Sequence, residues 1–277
     1  AEPYSPSPLP EQDGGSLPRL VAVMRRLLAP DGCPWDQKQS YESLRRYVTE
    51  EAAEVVDAID DGDREALCDE LGDLLLQVVF LAEMGRRDGH FGPDDVVEAI
   101  VQKLVRRHPH VFAGVVVADA DEVMSNWERI KAEERREGTS KDKGVVGGVP
   151  RSLPALTRAQ RVGEKAASVG FDWPDDEGPR SKVSEELAEL DEAMAGGNPR
   201  RVEQEFGDLL FATVNLARHH GIDAEAALRG TSNKFVARFE HVEARVKEEH
   251  GGFDRGAVSL EAMDAYWDEA KAREGDG

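Results

Sequence analysis

Cysteine is scarce. Cys33 and Cys68 are the only two in 277 residues, too few for a disulfide framework, and they have neither redox nor zinc spacing. Both read as free thiols, which fits a cytoplasmic protein. Long apolar runs are missing as well. The longest, Leu74 to Met84, is too short for a bilayer span and is broken by Gln77 and Glu83. Positive charge is in deficit, with 35 Lys and Arg against 56 Asp and Glu and a formal charge of −21. A nucleic-acid polymer is therefore a disfavoured partner, because its binders depend on clustered Lys and Arg. A small nucleotide is not excluded, since metal ions can bridge carboxylates to phosphates. No Gly-x-x-x-x-Gly-Lys-[Ser/Thr] loop occurs, which argues against a P-loop ATPase. No Ser, Cys or His constellation suggests a covalent intermediate. Residues 1–15, AEPYSPSPLPEQDGG, have neither the basic start nor the apolar stretch of a signal peptide and read as a disordered tail.

Strand-like alternation is absent too, and helical periodicity takes its place. Leu20, Val23, Met24, Leu27 and Leu28 form an apolar stripe. Helices are expected at 42–60, 64–86, 93–107 and 121–136, and again at 154–167, 179–195, 199–219, 223–248 and 259–274. Asp61-Gly62-Asp63 marks a turn, and Asn198-Pro199 a helix start. The stretch 137–151 is rich in Gly and Lys without period and reads as a linker. The expected architecture is all-α, with helices packed as bundles. A domain at 16–136 and another at 152–277 flank the linker.

One acidic motif occurs twice. Glu50-Glu51-x-x-Glu54 followed by Glu70-x-x-Asp73 returns as Glu185-Glu186-x-x-Glu189 followed by Glu205-x-x-Asp208. The differences 186−51, 189−54, 205−70 and 208−73 all equal 135. Ser16-Leu17-Pro18 matches Ser152-Leu153-Pro154, and Gly-Asp-Leu-Leu occurs at 72–75 and 207–210. A repeat this long is a duplicated domain rather than a solenoid unit. Acids three apart share one helical face, so two adjacent helices can converge four carboxylates. Such a cluster calls for a hard divalent cation, and Mg²⁺ takes oxygen ligands while leaving positions for phosphate oxygens. Phe206, Leu209, Leu210, Phe211 and Val214 surround Asp208, and an acid among core positions is costly unless paired or metal-bound. Gly72 and Gly207 cost helix propensity, which suggests a closely approaching neighbour helix. Glu185 lies about 100° round the helix from Glu186. It can orient or deprotonate a water, or serve as an outer group.

Cations recur as well. Lys103 and Arg107 stand four apart, as do Lys234 and Arg238; Trp127 and Lys131 stand four apart, as do Trp267 and Lys271. Lys182 precedes Glu186 by four and shares its face. Such cations can clamp phosphates and stabilise a pyrophosphate leaving group, although single lysines commonly only solubilise a helix. Trp267 could be core or could line a nucleotide pocket. The loops Gly32-Cys33-Pro34-Trp35-Asp36 and Gly170-Phe171-Asp172-Trp173-Pro174 hold equivalent places before the acidic helices. An aromatic beside an Asp can stack on and hydrogen-bond a nucleobase, or can staple the loop; both readings stand.

The stretches GCPWDQKQ, YVTEEAAEVVDAI, ELGDLLLQVVF, RRHPHVF, RSLPAL, VGFDW and GDLLFATVNLARH resemble the MazG family of nucleoside triphosphate pyrophosphohydrolases in its two-domain form, from Ser16 to Glu274. The resemblance implies tandem all-α bundles assembled as an intertwined homodimer. It implies Mg²⁺-dependent cleavage of nucleoside triphosphates to monophosphate and pyrophosphate, with Mn²⁺ as a substitute ion. It implies Glu186, Glu189, Glu205 and Asp208 as metal ligands, and Lys182, Lys234, Arg238, Trp267 and Lys271 as nucleotide contacts. The first domain would carry a second metal site at Glu51, Glu54, Glu70 and Asp73, with Lys103, Arg107, Trp127 and Lys131 beside it. Tyr47 departs from the pattern, standing where the second domain has Lys182. Family members of this length often work mainly through the C-terminal domain, and the missing Lys fits that. The rival expectation is a nucleotide-binding regulatory protein on a degenerate hydrolase scaffold.

Overall fold

The computed structural model describes residues 17–115, 144–253 and 258–275 and, between 116 and 143, residues 117, 119, 122, 123, 126, 127, 129, 130, 133 and 134. The 1–15 tail, Lys131 and residues 137–143 of the linker lie outside the described residues. The chain divides into two compact units at residues 139/140. Among the described residues there is no β-strand, as the all-α expectation required.

The first unit comprises α1 (Leu17–Leu27), α2 (Pro34–Gln37), α3 (Tyr41–Asp61), α4 (Arg64–Arg87), α5 (Pro93–Arg107) and α6 (Pro109–Phe112). Residues 122, 123, 126, 127, 129, 130, 133 and 134 are also helical. The central hairpin is α3–α4, and its signals are local. Ser40 caps α3 by accepting from Ser43 N. Gly62 ends α3 at φ 70°, a left-handed conformation that a side chain would strain, and Asp63 caps α4 by accepting from Glu65 N and Ala66 N. The helix α1 lies across α4. Met24, Leu28, Leu44, Val79, Phe80 and Met84 form the core between them. Glu83 is fully buried there and is held by Arg25 at 3.0 Å and Arg86 at 2.7 Å.

The second unit comprises α7 (Ala155–Ala167), α8 (Glu177–Gly196), α9 (Pro199–His219), α10 (Ala224–His250) and α11 (Leu260–Gly275). The hairpin α8–α9 repeats α3–α4 down to its turn. Gly197 takes φ 67°, and Asn198 caps α9 by accepting from Arg200 N. Against α9 packs α7, as α1 packs against α4. A second core cluster, Val242, Val246 and Tyr266, joins α10 to α11. Apart from the helix at 121–136, whose ends lie outside the described residues, the expected helix bounds are met within two residues; α2 and α6 are additions, single turns opened by Pro34 and Pro109 that no period could reveal.

One expectation is corrected. Among the described residues, no atom beyond the helix's own adjacent turns lies within 4 Å of where a Cβ would stand on Gly72 or Gly207. Neither glycine admits a neighbouring helix of its own unit. Both face the open side of their hairpin, where Leu71, Leu75, Phe206 and Leu210 are also exposed.

Candidate active site

Antiparallel packing of α8 on α9 sets the site. Glu186 on α8 meets Glu205 and Asp208 on α9, and one carboxylate oxygen from each lies within 4.8 Å of the others. Glu186 is buried, Glu205 half-buried and Asp208 exposed, so the cluster opens to one side. The fourth acid, Glu189, is outside that tight triad but belongs to its field. Burial, and then the charges of Glu186 and Glu205, push its carboxyl above the ordinary carboxylate range. Lys182 reaches Glu185 at 2.8 Å and Glu186 at 2.7 Å. Its hydrogen bonds to Glu185 and then Glu186 hold its ammonium pKa above the usual lysine value. Glu185 is exposed and turned to Lys182.

The first unit repeats the triad with Glu51, Glu70 and Asp73, again within 4.8 Å. Burial, then Asp73 and Glu54, raise the Glu51 carboxyl; burial, then Glu54, raise that of Glu70. These acids crowd one another without a cation in the Lys182 position. Tyr47 stands there, with Arg46 over its ring at 4.5 Å and Trp35 edge-on at 6.2 Å.

The remaining predicted residues of the second unit lie on α10 and α11. Arg238 lies over the Trp267 ring at 5.6 Å, Phe235 packs on the same ring at 4.9 Å, and Lys271 bonds Asp268 at 3.2 Å. Lys234 is exposed one turn before Arg238. None of these four lines the cavity beside the carboxylates. Their counterparts differ: Lys103 is exposed, while Arg107 and Arg106 are tied to Glu134 at 2.7 and 2.6 Å. Arg107, outweighing the penalty of burial and joined by Arg106, holds the Glu134 carboxyl below its ordinary range. Trp127 stands edge-on to His108 at 5.4 Å.

A cavity of about 350 Å³ adjoins the second triad, with Lys182, Glu186 and Asp208 in its wall and Phe171, Trp173 and Asn215 beyond them. The loop reading left open by the sequence divides here. Asp172 is a staple: Arg218 donates to it at 2.6 and 3.0 Å, and His219 stands at 2.9 Å. The aromatics beside it, Phe171 and Trp173, line the space. Sequence reasoning missed Asn215 and Arg218. The available signal was an amide two turns past Asp208, inside the otherwise apolar run of α9.

Oxygen donors of graded burial, a lysine that balances their charge and an open side together suit a hard divalent cation. The family model for the MazG nucleotide pyrophosphohydrolase domain matches residues 39–112 and 177–243, covering both hairpins. The nucleoside triphosphate pyrophosphohydrolase/pyrophosphatase MazG of Thermotoga maritima is 43% identical over 252 residues, 91% of this chain and 94% of the relative. The nucleoside triphosphate pyrophosphohydrolase of Escherichia coli K12 is 44% identical over 261 residues, 93% of this chain and 98% of the relative. The chain belongs to the MazG nucleotide pyrophosphohydrolase family. It is an enzyme, a hydrolase of acid anhydrides, with two tandem helical domains of this kind. Among the described residues no helix is long and apolar enough to cross a membrane.

Proposed function

We propose that this chain hydrolyses nucleoside triphosphates, ribo- and deoxyribo- and including aberrant ones, to the monophosphate and pyrophosphate, with Mg²⁺, mainly through its second unit and as a homodimer. The observation that carries the proposal is the convergence of Glu186, Glu205 and Asp208 with Lys182 at one end of an aromatic-lined cavity. The two relatives named above are triphosphate pyrophosphohydrolases by name.

Glu186, Glu189, Glu205 and Asp208 would hold the ion, and Mn²⁺, which accepts the same oxygen donors, would substitute. When bound, such an ion supplies charge neutralisation and a more acidic water. The chain's own residues do the rest. Lys182 pairs with Glu185 and Glu186 and offers a point charge to a phosphate oxygen. Glu185, exposed beside it, is the candidate acceptor for the proton of the attacking water. Water adds to a phosphorus of the α–β anhydride, and the bond to the pyrophosphate oxygen breaks. Lys234, Arg238 and Lys271 carry the charge that develops on pyrophosphate, with Trp267 backing Arg238.

The first unit lacks two of these elements. Tyr47 gives only a neutral hydroxyl where Lys182 gives a charge, and Arg107 is already neutralised by Glu134. The homodimer rests on apolar surface: Leu187, Phe206, Leu210, Phe211 and Phe235 are each roughly half exposed on the second unit. A second copy would cover them, which is the role the exposed Gly207 suits. The test is a product assay on the four normal triphosphates, their deoxy forms and oxidised or deaminated analogues, with and without Mg²⁺. Equimolar monophosphate and pyrophosphate support the reading; diphosphate with orthophosphate as first products contradicts it. Nucleotide binding without any turnover would favour a regulatory protein instead.

A further inference from the structure

We propose that the cavity beside the second triad is the nucleobase subsite and that the side-chain amide of Asn215 reads the edge of the base; this rests on the triphosphate reading above. Its volume, about 350 Å³, lies in the range of small-molecule sites. Three charged groups of its wall, Lys182, Glu186 and Asp208, sit at the triad, where phosphates belong. The opposite part of the wall is apolar except for Asn215 and the paired Asp172 and Arg218, whose charges are spent on each other.

Asn215 is 9% exposed. Its Oδ1 accepts from Arg218 Nε at 2.8 Å. An arginine only donates, so the amide must turn its oxygen to Arg218 and leave its NH₂ group for the cavity. Among the described residues no acceptor meets that NH₂ group. That donor is not among the buried atoms left without a partner, so it opens to the cavity, where an acceptor on a ligand can take the place of water. The orientation is held twice over. Asp172 fixes Arg218 at 2.6 and 3.0 Å, and Gly163 leaves room where a Cβ would meet Arg218 at 3.2 Å and Asn215 at 3.3 Å. Phe171, 82% exposed at the cavity wall, offers a ring face to stack on. A stacked ring accepts any base, whereas a fixed donor distinguishes bases by where they carry acceptors.

The repeat supplies an internal contrast. At the constant offset of 135, Asn215 corresponds to Phe80, Arg218 to Glu83, Pro179 to Leu44 and Lys182 to Tyr47. Phe80 and Leu44 are buried in the first unit's core, and Tyr47 packs against them. The same place that is open in the second unit is filled in the first, so base recognition belongs to the second unit.

The test is calorimetric titration of the full-length protein with the α,β-methylene analogues of ATP, GTP, CTP and UTP in Mg²⁺, which bind without being cleaved at the scissile linkage. The wild type should rank the four. Asn215→Leu, of similar volume but without hydrogen bonds, should weaken the best ligand about ten- to a hundredfold and level the ranking. Phe171→Ala should weaken all four by a similar factor and keep the ranking. If Asn215→Leu does not fold, Asn215→Asp, which keeps the shape and removes the donor, must show the same levelling. An unchanged ranking in the folded variant overturns the proposal, as does a wild type that binds inorganic tripolyphosphate as tightly as the nucleotides. Ranked binding of the analogues with no pyrophosphate released from natural triphosphates would defeat the proposed activity and leave this subsite standing.

Discussion

Replacing Asp172 by Asn tests the staple that holds the cavity wall. The carboxylate accepts from both terminal nitrogens of Arg218 and from Trp173 N at 3.0 Å, and it faces the His219 ring. Arg218, outweighing the penalty of burial and aided by His219, lowers the carboxyl from 3.8 to about 2. That depression corresponds to roughly 2 kcal/mol of folded-state stabilisation. A quarter of the side chain is open to solvent, so screening reduces the expected contribution to about 1–2 kcal/mol. The sign follows from a lowered folded-state pKa. The contribution is complete above the unfolded value of 3.8 and is lost as the pH falls through about 2. Urea unfolding of the full-length protein and of Asp172→Asn should therefore separate at pH 7 and above pH 5 by about 1–2 kcal/mol, with roughly half the gap gone by pH 3. No gap at pH 7, or a gap undiminished at pH 3, would refute the reasoning. The variant should also loosen Arg218 and with it Asn215, so discrimination among bases should fall while metal affinity stays unchanged.

Three further outcomes follow from the same geometry. Asp208→Ala should remove a ligand of the second triad and lower pyrophosphate release at least a hundredfold in the presence of Asp73→Ala, whereas Asp73→Ala alone should retain most activity; equal losses from the two single variants would contradict dominance of the second unit. Lys182→Met should cost about 1.5–3 kcal/mol in kcat/KM, roughly ten- to a hundredfold, by removing a charge-assisted contact, and a change under twofold in steady-state kinetics would strike Lys182 from the site. Light scattering of the purified chain, 30.5 kDa by sequence, should give twice that mass at micromolar concentration, and a stable monomer would remove the dimer.

Much of the architecture is legible because its signals are local. The stripes of α3, α4, α8 and α9 recur at helical spacing, and Gly62-Asp63 and Gly197-Asn198 carry both a left-handed end and a cap. The carboxylates are legible because the offset of 135 makes coincidence implausible. What stays hidden depends on docking. Asp172 finds Arg218 across 46 residues, so loop staple and base reader look alike until the helices are packed. Asn215 is an unremarked amide in ATVNLARH until Arg218 fixes its oxygen. Gly72 and Gly207 suggested a closely approaching helix, yet propensity cannot tell which side of a hairpin is open within its unit. The cations of α10 and α11 were readable as a spacing, but the spacing does not say that Arg238 lies over Trp267 and that none of them lines the cavity.

The two units show what separates a carboxylate cluster from a working site. Each keeps the acids, and in each the acids raise one another's pKa or are balanced by a neighbour. In the second unit Lys182 offsets the crowding. In the first the position belongs to Tyr47, so the crowding is eased by a neutral donor, Gln77 to Glu51 at 3.4 Å, and further relief needs protonation or a bound cation. That makes the first triad capable of holding an ion without the charge that would receive a phosphate beside it. The packing diverges in parallel. Burying Phe80 with Met24, Leu28 and Leu44 gives the first unit a continuous core along its hairpin, and a buried phenyl is worth roughly 3–5 kcal/mol against truncation. The second unit forgoes that burial at Asn215 and keeps a cavity, while its own tight cluster forms farther along the chain between α10 and α11. One scaffold thus serves two ends. Where the hairpin's flank is filled, the acids sit on a stable bundle; where it is left open and edged with Asn215, Arg218 and Asp172, the same acids adjoin a space that can take a base.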